Sequence, residues 1–277
     1  MTDVQQKLLP MLKWFHDFCV ENNLRYYAIG GTMLGAVRHN GFIPWDDDID
    51  VGMPRDDYKR FIELSRLIPS PYLLETPQSE AKDFVYAFSK IYNTDTLLIE
   101  KGKHNIKRGI YLDVFPLDGL GNSEQEAKKN FGKTANLVKR LAVRVSPIRK
   151  GRGFLKNSAV VLSRCIPHFF VSDKKLAQKL DFVASQIPFD DSNYVGNLVC
   201  NYKPNNILYR ENFGTPKLYN FENLMIYGAE NYDGYLTQVF GNWRELPPED
   251  KRVSLHLNNE LDLNRSYLDK GDGKCKR

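Results

Sequence analysis

Four aspartates crowd into the run Trp45-Asp46-Asp47-Asp48-Ile49-Asp50-Val51. Read as an extended segment, alternation puts Asp46, Asp48 and Asp50 on one face and Asp47, Ile49 and Val51 on the other. Three like charges on one face repel one another unless a cation lies between them, so the run reads as a metal site. Its ligands are hard carboxylate oxygens with no Cys or His cluster beside them, which favours Mg²⁺, with Mn²⁺ as the alternative, over zinc. Just upstream, the short apolar stretch 26–29 ends in Gly30 and Gly31, followed by Thr32 as a helix cap. Two glycines let the backbone turn sharply and leave room for a phosphate against the N–H groups that open a helix. Glycines that seat a phosphate and aspartates that seat a hard cation together point to phosphoryl or nucleotidyl transfer. An acidic surface turn is the competing reading, and the apolar flanks Ile43, Pro44, Trp45 and Val51 speak against it.

Other chemistry-bearing residues stand apart from this run. Asp113 is an isolated carboxylate in the apolar stretch 109–120, GIYLDVFPLDGL, where burial is costly unless the group is paired or metal-bound. Asp118, between Pro116 and Gly119, reads as turn chemistry. Alternation along 84–92 puts Lys90 on a face with Phe84, Tyr86 and Phe88, toward the edge of the site or at a solvated strand end. Arg38 closes the helix that begins at Thr32 and suits phosphate through its planar fork. His39 beside it either joins the site or bonds the following turn.

The supporting elements follow from periodicity. Residues 3–22 carry Val4, Leu8, Leu12, Phe15 and Cys19 near one helical face, with Pro10 as a kink or late start. Residues 53–56 start a second amphipathic helix with Tyr58, Phe61, Ile62, Leu64 and Ile68, stopped by Pro69 and Pro71. Strands are expected over 84–92, 96–100 and 109–120, and a further helix over 174–186. No acidic residue occurs between Glu126 and Asp173, whereas Lys and Arg recur throughout, and 154–171 is apolar enough to lie on a bilayer surface. This basic stretch, 127–172, is therefore a candidate for peripheral contact with anionic lipid or a polyanionic acceptor, or a solvated helix face. Nucleic acid is disfavoured because no recognisable module accompanies it and its few aromatics are not spaced for stacking.

The chain of 277 residues has a net charge of +5, 42% hydrophobic and 26% charged residues, ordinary for a globular protein. Its four cysteines are widely spaced, which fits a reducing compartment. There is no membrane-crossing run and no signal-peptide pattern, so the expected location is cytoplasmic, at the inner membrane face where the basic stretch engages it.

Gly30, Gly31 and Thr32, Leu34 and Gly35, Arg38 and His39, the unbroken GFIPWDDDID of 41–50, then Arg55 and Tyr58, resemble the LicD family. The C-terminal order Phe213, Phe221, Glu222, 232–236, 240–243, Leu246, Pro247, Pro248, Arg252 and His256 resembles it as well. The resemblance implies an α+β fold with a nucleotidyltransferase-like mixed sheet flanked by helices, a basic helical insertion and an aromatic, loop-rich C-terminal region. The corresponding division is a catalytic core over 1–122, a basic helical subdomain over 123–190, and 191–277 completing the substrate pocket. It implies metal binding by Asp46, Asp48, Asp50 and Asp113, with Asp48, Asp50 and Asp113 catalytic. Gly30, Gly31, Thr32, Arg38, His39, Trp45, Lys90, Arg252 and His256 then become substrate-binding candidates. The implied reaction passes a phospho-alcohol, phosphocholine foremost, from a CDP-linked donor to a glycan or lipid-linked glycan. Nucleotidyl transfer to a sugar or small-molecule acceptor and a non-catalytic nucleotide- or glycan-binding module are the alternatives.

Overall fold

The computed structural model describes residues 1–100, 106–145, 172–200, 204–254 and 258–269. Helix α1 (Asp3–Glu21) starts on a capping box between Thr2 and Gln5 and buries Leu8, Met11, Leu12, Phe15, Phe18 and Cys19 along one stripe. It begins at Asp3 rather than after Pro10, which sits inside the helix on its exposed side.

The chain then contributes β1 (Tyr27–Ala28), α2 (Gly30–His39), β2 (Asp50–Pro54), α3 (Arg55–Glu63), β3 (Tyr72–Glu75), β4 (Ser89–Asn93), β5 (Leu97–Glu100), β6 (Ile106–Arg108) and β7 (Tyr111–Gly121). After these come α4 (Glu124–Val145), α5 (Asp173–Ala184), β8 (Tyr194–Gly196), β9 (Leu208–Tyr209), α6 (Arg210–Phe213), β10 (Lys217–Phe221), β11 (Leu224–Gly228), α7 (Tyr232–Phe240) and β12 (Asn258–Asp262). The central sheet runs β1-β2-β7-β4-β3, with β8 added to β7 and β9 to β8. Among the described residues only β2 and β7 pair in parallel, so the sheet is mixed and the α+β expectation holds. The hairpin β10-β11 and the small sheet β12-β5-β6 lie apart from it.

The long strand β7 is the axis of the molecule. Its residues from Leu112 to Leu120 are buried between α1, α3 and α4, and its two halves serve different ends. The first half carries Asp113; the second carries Asp118, which is fully buried and not in a turn. Asp118 accepts from Arg55 Nε at 2.7 Å and Nη2 at 2.6 Å, while Arg55 Nη1 reaches Asp181 of α5 at 2.6 Å. The turn-like pattern around Asp118 is overridden because β8 pairs there, Gly196 opposite Asp118, and because a fork-shaped guanidinium neutralises the carboxylate.

Helix α4 buries Phe131, Leu137, Val138 and Leu141 against α5 and β7 while exposing Lys128, Lys129, Lys139 and Arg140. Arg144 is instead buried, bonded to Asp173 at 2.5 Å. Residues 146–171, most of the candidate membrane-contact stretch, lie outside the described residues. Among the described residues no helix is long and apolar enough to cross a membrane.

Candidate functional site

Sheet register brings the site together. Asp113 on β7 stands opposite Asp50 of β2 on one side and opposite Lys90 of β4 on the other. Partners in register share a face of the sheet, so the three side chains emerge side by side. The Lys90 ammonium lies 2.9 Å from Asp113 Oδ1 and 3.3 Å from Oδ2. It is therefore not at a solvated strand end, as one sequence reading had it, but 2% exposed. Strand β4 also starts later than expected, at Ser89 rather than at residue 84.

The acidic run is not an extended strand with alternating faces. Residues 46–49 form a loop and β2 begins at Asp50. The reason lies in β1, whose two residues end opposite Val51. Beyond Asp50 the chain has lost a ladder neighbour on that side and folds back over α2. The carboxylates thus approach by loop closure. Asp46 Oδ2 lies so close to Gly31 that a Cβ there would overlap it, and a Cβ on Gly30 would stand 3.3 Å from Asp50 Oδ2.

Helix α2 starts earlier than Thr32. Gly30 takes φ +53°, a left-handed conformation that lets the chain leave β1 directly into the helix, and Ile29 is its N-terminal boundary. Thr32 lies in the first turn instead of capping it, and its Oγ1 accepts the N–H of Asp50 at 2.8 Å. The Gly30 N–H donates to Tyr235 Oη at 2.9 Å.

Electrostatics mark Asp50 as the focus. Burial raises its carboxyl well above the usual range, and Asp48, Asp113 and Asp46 raise it further, in that order, with Lys90 opposing them. For Lys90 burial alone would disfavour the charged form. Asp113 and then Glu100 outweigh it and push the ammonium upward, so it stays charged. Three aromatic rings surround that ammonium, with centroids at 3.3 Å for Tyr111, 4.7 Å for Tyr86 and 5.7 Å for Phe88.

A second group forms at the other end of α2. Trp45 is approached edge-on by His39, with ring centroids 6.2 Å apart, and the Arg252 guanidinium lies 5.7 Å from the Trp45 centroid. Burial and then Arg38 lower the His39 pKa. Arg38 Nη1 donates to the carbonyls of Trp243 at 2.9 Å and Glu245 at 3.3 Å, tying the C-terminal segment to α2. Ser254 Oγ donates to Asp47 Oδ2 at 2.8 Å. A small cleft beside Asp47 and Tyr111 is lined by Leu98, Ile110 and Leu261. His256 lies outside the described residues.

Among the described residues no group of three or more His, Cys, Asp or Glu side chains is arranged to hold a metal ion as it stands. The donor set nevertheless fits a hard divalent cation in its chemistry. Its oxygens are all carboxylate, and the repulsion that raises Asp50 is of the kind a cation relieves. Sequence reasoning missed Tyr235, Tyr86 and Tyr111 as site-forming residues. Tyr235 stood out only as one aromatic among many in a region rich in them, and its contact with Gly30 spans 205 positions.

Residues 23–139 match the family described as LicD/FKTN/FKRP, nucleotidyltransferase domain. Over 264 residues, 93% of this chain and 96% of the relative, the chain is 29% identical to the lipopolysaccharide cholinephosphotransferase LicD of Haemophilus influenzae. It is 42% identical to an uncharacterized protein of Rickettsia typhi over 130 residues, 45% of this chain and 38% of that one. A 34-residue stretch, 12% of this chain and 7% of the relative, is 50% identical to the human ribitol 5-phosphate transferase FKRP.

Proposed function

We propose, from the LicD/FKTN/FKRP nucleotidyltransferase-domain match of residues 23–139 and the alignment with the Haemophilus relative, that this chain works as a LicD-type transferase and passes a phospho-alcohol group, phosphocholine foremost, from a CDP-linked donor to a sugar hydroxyl of a cell-surface glycan or its lipid-linked precursor. Transferase activity of this general kind is supported by the family. The choice of choline is supported by the name of the Haemophilus relative, which aligns along nearly its whole length.

The observation that carries the reading is the gathering of Asp46, Asp48 and Asp113 around Asp50, against the turn that opens α2. The acceptor oxygen attacks the distal phosphorus of the donor. The bond from that phosphorus to the bridging oxygen breaks, and the electron pair leaves on cytidine monophosphate. The acceptor's proton passes to the carboxylate set in this reading. Asp46, Asp48, Asp50 and Asp113 would hold Mg²⁺ or Mn²⁺, which supplies positive charge against the pyrophosphate and the leaving oxygen. Gly31 and Thr32 orient the phosphates, while Arg38, His39, Trp45 and Arg252, with His256, form the wall nearest the rest of the donor. Work at the inner membrane face through the basic stretch belongs to the same reading.

The test is release of cytidine monophosphate from a panel of CDP-alcohols by the purified protein, with and without chelator. Metal-dependent release from CDP-choline, lost in Asp48→Asn and Asp50→Asn variants that still fold, is the expected result. A nucleotide found joined to the acceptor would replace this reading with nucleotidyl transfer. Metal-independent binding with no product would replace it with a binding module.

A further inference from the structure

Lys90 is more than a neighbour of the site. Its ammonium spans both oxygens of Asp113, at 2.9 and 3.3 Å, and is almost wholly buried. The rings of Tyr111, Tyr86 and Phe88 close around it, and each ring face attracts a cation, most strongly where water is excluded. The backbone on both sides is fixed, because Lys90 and Asp113 are register partners in the interior of the sheet. A cation so enclosed cannot swing away to make room for another without leaving the rings and the carboxylate together.

We propose that Lys90 is a built-in second cation, so that the site takes a single divalent ion, with Asp113 shared between that ion and the ammonium. This rests on the reading of the carboxylate set as a metal site and deepens it by fixing the number of ions. Two divalent ions placed on Asp50 and Asp113 would put the second beside an ammonium that lies in register next to Asp113, in surroundings of low dielectric where like charges repel strongly. Lys90 acts in this role as a positioning residue. It holds the Asp113 carboxylate in place and supplies the charge that a second ion would otherwise bring.

Counting bound Mn²⁺ on the full-length protein tests this, with free Mn²⁺ followed by its electron paramagnetic resonance signal during titration. The wild type is expected to bind one equivalent, and Lys90→Arg, which keeps the charge, also one. Lys90→Met fills similar space without charge and is expected to bind two. Two equivalents in the wild type would overturn the inference while leaving the metal reading intact. A single equivalent in folded Lys90→Met would also overturn it. Zero equivalents in the wild type would overturn both. Should Lys90→Met fail to fold, the wild-type and Lys90→Arg counts decide.

Discussion

Gly31→Ala separates the stability of this protein from its activity. Gly31 is in the first turn of α2 and does not share the positive φ of Gly30. Alanine there is favoured by helix propensity, by up to about 1 kcal/mol relative to glycine. Yet the new methyl group would overlap Asp46 Oδ2, and the carboxylate must retreat by roughly 1 Å to reach an ordinary contact. The backbone does not have to move, since the obstructing atom is the end of a side chain. A misplacement of about 1 Å in a catalytic constellation costs on the order of 100-fold in rate. The expected outcome is a variant at least as stable as the wild type in urea, with cytidine monophosphate release lower by about two orders of magnitude. Gly30→Ala is the contrasting control, because its φ of +53° makes a side chain strained there, by about 1–2 kcal/mol. A Gly31→Ala enzyme within about threefold of wild-type activity, or one that unfolds several kcal/mol more easily, would refute the placement of Asp46 against this turn.

Arg55→Leu leaves Asp118 as a buried carboxylate without its partner, so the urea midpoint should fall by an amount equivalent to about 3–5 kcal/mol; a loss under about 1 kcal/mol would mean that the network with Asp118 and Asp181 contributes no more than a surface pair. Arg38→Ala removes the donors to Trp243 and Glu245, and amide exchange over 243–254 should quicken while exchange in β7 stays as it was. Equal exchange over 243–254 in both proteins would show that Arg38 does not hold that segment. His16 bonds Tyr26 Oη through Nδ1 at 2.8 Å, and burial lowers its pKa, with Asp17 opposing and Lys13 assisting. The unfolded chain therefore binds the proton more readily than the folded one, and stability should drop as pH falls through about 6.5. His16→Gln should flatten that part of the melting-temperature profile, and a profile identical to the wild type would exclude His16 as its source.

What could be read in advance depended on whether the signal was local. Asp113 declared itself because a lone carboxylate in Ile-Tyr-Leu-Asp-Val-Phe must find a positive partner, and α1 and α3 followed from their apolar stripes. Lys90 was placed on a strand near the site, but not on Asp113, because that meeting is made by the pairing of β4 with β7 across 23 positions. Alternation along the acidic run holds only if the run is extended, and the length of β1, two residues, decides where β2 begins. At Asp118 a Pro-x-Asp-Gly pattern typical of turns was outweighed by strand pairing and an arginine 63 positions away. Each miss is a long-range contact prevailing over a local preference.

The C-terminal third has the same dependence in reverse. Tyr235 holds the Gly30 N–H, Ser254 holds Asp47, and Glu222 receives the Phe42 N–H at 3.0 Å. Tyr27 Oη donates to the Gly214 carbonyl at 2.6 Å, and Tyr26 Oη accepts the Tyr227 N–H at 3.1 Å. All five contacts land on residues 26–47, the part of the chain from the end of α1 to the acidic loop. Strands β2 and β7 fix where Asp50 and Asp113 stand, and that pairing reaches the acidic loop at its last residue, where the Ile49 carbonyl accepts the Asp113 N–H at 2.9 Å. That loop has no ladder of its own: Gln5 Nε2 of α1 donates to the Asp46 carbonyl at 2.7 Å, the Asp46 carboxylate lies against Gly31, and Ser254 Oγ reaches Asp47 from the C-terminal segment. The acidic run supplies the carboxylates; the return of the chain some two hundred residues later (Tyr235 to Gly30 spans 205) helps hold them where the two strands have already placed Asp50 and Asp113.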